Sequence, residues 1–317
     1  MRSIGLSPIN NIVDITNFVL YETGQALHAF DAEEITGNKV IVNTMPEGTP
    51  FITLDEQERK LRASDLMISN TKEAMCIAGV FGGIKSGVTG KTTSIFLESA
   101  CFDPVYVRKT ARHHQLNTDA SFRFERGSDP NMTVWALKRA ALLIKEIAGG
   151  SISSDVVDVY PEAVEDFPVE ISFAHVDRLI GNHIEPSTIR SILESLEIKI
   201  ETESESGMIL RVPPYRVDVQ READVIEEIL RIYGFNRVEI SNGLRSTLSS
   251  GTKPDKEQVV NMISDLLSSN GFFEMKSNSL TPASYYDTDE KQDPEAVRLF
   301  NPLSQDLSLM RKNLLFG

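Results

Sequence analysis

The sequence predicts an α+β protein of several folding units: a mixed or antiparallel sheet domain, a small winged-helix-like α+β domain, and the start of a third unit. Three observations carry this. Short period-two runs punctuated by Pro and Gly lie between segments of helical periodicity. Two polar connectors, YPEAVEDFP at 160–168 and SNGLRSTLSSGTKPD at 241–255, divide the pattern. The 317 residues also exceed one average domain.

Ser7 and Pro8 offer an N-cap and first-turn pair for a helix whose stripe is Ile9, Ile12, Val13 and Leu20, stopped at Gly24. Thr16 falls within that stripe and Asn17 on its flank. The runs KVIVNT, PFITLD, KLRAS and DLMIS predict an antiparallel set of strands, and MCIAGVFGG and SIFLESACF predict buried ones. Asp129-Pro130 caps a helix through Trp135, Leu142 and Ile147 that Gly149-Gly150 ends, closing a first domain over residues 1–160. Residues 161–240 then give a strand, a short helix ending at Gly181, a helix capped near Ser187, a β-ribbon and the helix ADVIEEILRIYGF, a winged-helix-like order. In residues 241–317 a linker precedes an Asp255-capped helix ending at Asn270-Gly271. The remaining stretch is too short to close a core, so the chain is expected to stop inside a third domain.

Composition limits the function. With 41% hydrophobic and 25% charged residues and no long apolar stretch, the chain reads as soluble and not membrane-spanning. Cys76 and Cys101 form no C-x-x-C pair, so neither a disulfide framework nor a zinc site is indicated, and the cytoplasm is the expected compartment. A net charge of −14 disfavours broad capture of a nucleic-acid backbone. Any such contact must be local, and the basic run from Arg108 to Arg126 is its best candidate, although a solvated helix face is the commoner meaning of such a run.

Several motifs carry chemistry. GIKSGVTGKTT copies the end of a phosphate loop at Gly90-Lys91-Thr92, but its first glycine would stand at Lys85 and a strand comes next instead of a helix, so that reading fails. The glycines at 79, 82, 83 and 87 fit close backbone approach instead. Thr16, Asn17, His28 and Glu98 are polar residues set in apolar surroundings, with Glu98 on the strand face of Phe96. Each alone has an ordinary structural explanation, and only convergence would make a pocket. Asp218, Asp224, Glu227 and Glu228 offer oxygen donors suited to Mg²⁺, the last three along one helix edge. The competing explanation is a helix first turn rich in acids, with Glu227 pairing Arg231.

Taken together, VDITNFVLYETGQALHAFD, IAGVFGG, FLESACFDP, TDASFRFERGSDP and PPYRVDVQREADVIEEILRIYGF, in that order, resemble the β subunit of bacterial phenylalanyl-tRNA synthetase. The resemblance covers the whole chain but only the middle of such a subunit. It implies an editing domain over residues 1–160 that hydrolyses tyrosine wrongly attached to the phenylalanine tRNA, and a truncated class II synthetase-like segment at 241–317. It implies Thr16, Asn17 and His28 around the ester and its water, Ala78 and Gly79 as a backbone wall, and Glu98 as reader of the tyrosine hydroxyl. Thr118 and Ala120 would form the pocket's side. It further implies that Asp218, Asp224, Glu227 and Glu228 hold Mg²⁺ in a site shared with the α subunit. The complete enzyme would be a heterotetramer of two α and two β subunits that takes tRNA, phenylalanine and ATP.

The physics suits this division of labour. An apolar pocket built for phenylalanine rejects one added hydroxyl poorly, whereas a second site that hydrogen-bonds the hydroxyl selects for it. An aminoacyl ester is already activated and needs a placed water more than a covalent nucleophile. His28 could act as a base or orient that water. The expected layout puts His28 and the helix on one side and Gly79 with Glu98 on the far wall. Two alternatives are an assembly module without activity of its own and a metal-dependent hydrolase built on Asp218 and its neighbours.

Overall fold

A computed structural model describes residues 1–240, 243, 255–288 and 292–315. The chain divides into two compact units, Met1–Ile240 and Ser241–Gly317. Among the described residues no helix is long and apolar enough to cross a membrane.

Helix α1 spans Asn11–Thr23 and is capped by Asn10, whose side chain accepts from the Val13 amide at 2.9 Å. Ser7 and Pro8 therefore lie outside it, because an Asx cap closer to the apolar run competes for the same amides. The buried stripe moves accordingly to Ile15, Thr16, Val19 and Leu20, and Ile9 is exposed. Gly24 ends the helix at φ 78° as expected.

Residue 28 lies in a strand. Strand β1, Leu27–Asp31, runs antiparallel to a later strand, Ile95–Ser99, with His28 opposite Glu98 and Phe30 opposite Phe96. Between them come β2 (Ile41–Thr44), β3 (Pro50–Ile52), β4 (Glu58–Lys60), β5 (Leu66–Ser69), β6 (Ala74–Ile77) and β7 (Phe81–Gly82), which makes Ile95–Ser99 β8. β2-β5-β6-β7 form a four-stranded antiparallel sheet, and β3-β4 a hairpin. The run KLRAS contributes only Lys60 to a strand, since β4 ends there.

The β1–β8 ribbon is a two-faced layer. Leu27 and Leu97 pack on Ile15 and Val19 of α1 and on Ala136 and Ala140 of a later helix. Phe30, on the other face, is fully enclosed with Phe51, Met67, Ile77 and Phe124. Burial of a ring of that size stabilises the fold by roughly 2–3 kcal/mol. The glycine-rich segment after β7 is loop and leads into β8, which disposes of a phosphate-loop helix.

Helix α2 (Pro104–His114), capped by Asp103, is followed by the short α3 (Asp119–Phe124) and by α4 (Thr133–Ile147). α4 buries its small residues Ala136 and Ala140 against α1, leaving Trp135, Leu142 and Ile147 exposed. Next come β9 (Phe167–Ser172), α5 (Phe173–Ile180), α6 (Pro186–Ser195), β10 (Lys199–Glu203), β11 (Gly207–Val212) and α7 (Glu222–Tyr233). Their sheet, in the order β10-β11-β9, and three helices enclose Ile171, Ile189, Leu193, Leu210 and Ile226.

In the second unit, α8 (Lys256–Ser269) is capped by Asp255 and followed by the two-residue strands β12 (Leu280–Thr281) and β13 (Leu309–Met310), paired antiparallel. The linker expected at 241–255 lies outside the described residues apart from Gly243 and Asp255. Mixed helices and antiparallel sheets make the chain α+β throughout.

Candidate functional site

The β1–β8 register brings two expected site residues side by side. His28 and Glu98 are directly opposed and project with Phe30 and Phe96 from the same face, where opposed side chains start about 5 Å apart. The expected layout, with His28 on the near side and Glu98 on the far wall, is therefore replaced by one in which they are neighbours. The His28 ring meets Phe30 edge-on at 4.4 Å between centroids. It also lies over Gly82, where an added Cβ would come within 2.8 Å of its Cε1. Only glycine leaves room for the imidazole there.

His28 Nε2 is fully enclosed and has no hydrogen-bond partner among the described residues, whereas Glu98 is half-buried. Loss of solvation draws the His28 pKa down to about 4, so the ring is neutral at pH 7. The same cause pushes Glu98 up to about 8, favouring its protonated form. Cys76, opposite Gly82 across β6–β7, has its thiol pKa raised by burial and then by the Glu98 charge. Sequence reasoning had no reason to place Cys76 beside this site, since only the sheet register brings it there.

A second group forms around the turn after β6. Ala78 is buried and Gly79 has φ 68°, a left-handed conformation. A Cβ on Gly79 would approach Phe102 to 2.8 Å and Phe124 to 3.1 Å, so the residue is needed for core packing as well as for the turn. Thr118 caps α3: its hydroxyl accepts from the Ser121 amide at 3.0 Å and donates to the Val80 carbonyl at 2.8 Å. Ala120 packs on the same core. The wall residues and the TDAS turn are thus joined directly.

Helix α1 contributes less clearly. Thr16 is buried, and its hydroxyl donates back to the Val13 carbonyl at 2.9 Å, the ordinary helical arrangement. Asn17 is half-buried, one turn before Tyr21, whose hydroxyl reaches Asp119 of α3 at 3.3 Å. Arg123 lies 4.9 Å over the Tyr21 ring, so α1 and α3 are neighbours. A separate open cavity of about 480 Å³, with Thr49, Phe51, Glu73, Met75 and Lys85 in its lining, contains none of the expected site residues.

The carboxylate cluster does not fit a magnesium ion as arranged. Asp224 accepts from the Gln220 and Arg221 amides and pairs with the Arg221 guanidinium at 2.9 Å, which holds its pKa low. Glu228 lies between Arg231 at 2.7 Å and Arg216 at 2.9 Å, and these likewise keep it ionised. Asp218 and Glu227 are exposed. Among the described residues no three His, Cys, Asp or Glu side chains group so as to hold a metal. Asp224, Glu227 and Glu228 do share helix α7, but Arg221 and Arg231, each three residues from an acid, take up the charge. The pair expected at Glu227 forms at Glu228 instead.

Comparison with known proteins agrees along the chain. Residues 1–149 match the B3/4 domain family, 169–235 the tRNA synthetase B5 domain, and 242–317 the phenylalanyl tRNA synthetase beta chain CLM domain. The phenylalanine–tRNA ligase beta subunit of Bacteroides thetaiotaomicron is 57% identical over all of this chain, and that of Porphyromonas gingivalis 55% identical. The chain spans 39% of the length of each. The Desulfotalea psychrophila subunit is 42% identical over 99% of the chain, which again spans 39% of it. A solved N-terminal fragment of the phenylalanyl-tRNA synthetase beta-subunit from Pyrococcus horikoshii aligns at 14% identity, covering 70% of this chain and 65% of that one, with a TM-score of 0.35. Three consecutive domain matches and this identity over the full chain lead to one conclusion: the chain belongs to the phenylalanine–tRNA ligase beta-subunit family.

Proposed function

We propose that residues 1–160 form an editing domain that hydrolyses tyrosine wrongly esterified to the phenylalanine tRNA. The observation that supports this most is the opposition of His28, whose enclosed Nε2 has no partner among the described residues, and the half-buried Glu98, beside Phe30, Phe96 and Gly82. Such a place suits an aromatic ring carrying one polar substituent. In this reading Glu98 recognises the tyrosine hydroxyl, and Ala78, Gly79, Thr118 and Ala120 bound the ring. Thr16 and Asn17 are left for the ester end, where a carboxamide and the free lone pairs of a hydroxyl can orient water.

The ligase function belongs to a larger assembly in the cytoplasm. In this reading the chain is part of a β subunit that works with an α subunit, two of each, on tRNA and ATP; the relatives' names supply the beta subunit of a phenylalanine–tRNA ligase. Magnesium at Asp218, Asp224, Glu227 and Glu228 would require Arg216, Arg221 and Arg231 to release their carboxylates, and the hydrolysis proposed for residues 1–160 does not use it.

The test is hydrolysis of tyrosylated against phenylalanylated tRNA by this chain and by Glu98→Ala. A hydrogen bond between the protonated carboxyl and the hydroxyl contributes a preference of about 2- to 10-fold, which the variant should lose. Tyrosyl ester that decays no faster than in buffer sinks the editing role. Activity abolished by a chelator but retained in Glu98→Ala would favour a metal-dependent hydrolase.

A further inference from the structure

The basic run on α2 has no part in the function proposed above. Arg108 and Lys109, with Arg112 and His113 one helical turn on, stand on its exposed side, and Tyr106 is exposed just before them. Arg59, Arg123, Arg126 and Arg139 each pair with a carboxylate, namely Asp55, Asp119, Glu125 and Glu22. Among the described residues Arg108, Lys109 and Arg112 make no ion pair. In a chain of net charge −14, uncompensated cations gathered on one helix face are the departure to explain.

A solvated face would account for the charges but not for what lies beside them. A cavity of about 230 Å³ is lined by Ser64, Val105, Tyr106 and Lys109. Its two sides are fastened together: the Arg62 guanidinium donates to the Lys109 carbonyl at 3.0 Å, and the buried Asp65 accepts from the Arg62 amide at 2.8 Å and the Thr110 hydroxyl at 2.9 Å. Arg62 Nε is enclosed and has no partner among the described residues. Glu47, at the same turn, is engaged by the Ala63 amide at 2.7 Å.

Pockets that enclose a drug-sized molecule measure roughly 300–1,000 Å³, so this notch takes one ring or one phosphate of something larger. A cationic strip with an aromatic ring at its end suits a single-stranded nucleic acid, whose phosphates follow the cations while a base stacks on the ring. The Ser64 hydroxyl offers a partner to a ribose 2′-hydroxyl, which DNA lacks. An acidic peptide would use the cations and leave the Tyr106 face bare. A membrane surface would need an apolar stripe beside the cations, but Val107 and Ala111 of α2 are buried in the core.

We propose that the exposed face of α2 and the Ser64 notch bind single-stranded RNA. Tyr106 stacks on a base, Ser64 meets the adjoining ribose, and Arg108, Lys109 and Arg112 hold phosphates. This goes beyond the editing reading and stands without it, since it needs neither His28 nor Glu98.

Fluorescence anisotropy of the full chain with a short labelled single-stranded RNA tests it, with DNA of the same sequence and heparin for comparison. The logarithm of affinity should fall with that of salt at a slope of about −0.7 per phosphate held, and the triple variant Arg108→Gln, Lys109→Gln, Arg112→Gln should flatten that slope by about 2. Lys138→Gln with Lys145→Gln, which removes exposed charge from α4, should leave the slope as it is. Tyr106→Ala should weaken RNA by at least about fivefold, while Tyr106→Phe keeps the affinity and heparin, which has no bases, is indifferent to either. Ser64→Ala should narrow the preference for RNA over DNA. An unaltered slope in the triple variant overturns the site. So does RNA that binds no better than heparin and ignores Tyr106→Ala, which leaves only a solvated cationic face. Absence of RNA binding at low salt overturns it outright.

Discussion

Residues 167–240 and residues 1–149 handle polar side chains in opposite ways. In the later stretch the enclosed layer is apolar, and charges lie outside it in pairs: His183 with Asp177, Arg190 with Glu203, Arg211 with Glu201, Arg216 with Glu228. In the earlier one lie Gln25 Oε1, His28 Nε2 and Arg62 Nε, the buried side-chain atoms that lack partners among the described residues. A scaffold gains from satisfying each polar group, whereas a site keeps some unpaired for a ligand. The difference singles out residues 1–149 as the stretch of this unit that encloses side-chain atoms without partners among the described residues.

The largest expected effect tests whether the earlier region is merely loose. Asp65 is fully buried there and accepts from Thr110 at 2.9 Å, His114 at 2.7 Å and the Arg62 amide at 2.8 Å. Burial raises its pKa, but these hydrogen bonds outweigh burial and hold it at about 2. Asp65→Ala should cost about 3 kcal/mol in urea denaturation, by stranding buried donors. The carboxylate's stabilising contribution is present above its ordinary 3.8 and is lost as pH falls toward 2. A loss no larger than that of an exposed substitution would mean that satisfied and unsatisfied groups are not distinguished as described.

A middle-sized effect concerns His28 and Glu98 themselves. Glu98 is raised from 4.5 to about 8, so its contribution to stability is lost as pH rises through that interval; His28 is lowered from 6.5 to about 4, so its contribution is lost as pH falls. Between about 4.5 and 6.5 the two slopes oppose each other, and a net loss remains from 6.5 to 8. Glu98→Gln should remove that upper loss, gaining on the order of 1 kcal/mol over wild type between about pH 6.5 and 8. Melting curves at several pH values check this. A constant offset between the two proteins would show that Glu98 does not titrate in the folded chain.

The smallest effect belongs to the later stretch. Arg190 pairs with Glu203 at 2.6 Å on an exposed surface, where screening and side-chain entropy cancel most of the attraction. Arg190→Ala should leave the melting temperature unchanged within error. A clear drop would place structural weight in those surface pairs and narrow the contrast.

Much of this was legible in the sequence. The cap at Asp255 and the stops at Gly24 and Gly181 act through a few adjacent atoms, and short-range chemistry is what a sequence states openly. The face of Glu98 came from alternation in the same way. Pairing across about 70 residues did not, because nothing local in LHAFD says that its partner is IFLES. The neighbourhood of His28 with Glu98 and Cys76 was hidden for that reason. The carboxylate spacing expected to suit magnesium was visible, but so were arginines three residues away, and in this structure Arg221 pairs with Asp224 and Arg231 with Glu228.

The Thr118 hydroxyl joins the first turn of α3 to the strand turn that carries Ala78 and Gly79. A helix of six residues has little cooperativity of its own, so its start frays readily unless something outside holds it. Here the outside partner is Val80. Whatever presses on that turn from the aromatic side also tightens the helix start, and whatever leaves it loosens both. Hydrogen exchange at the Ser121 amide should therefore report occupancy of the neighbouring wall.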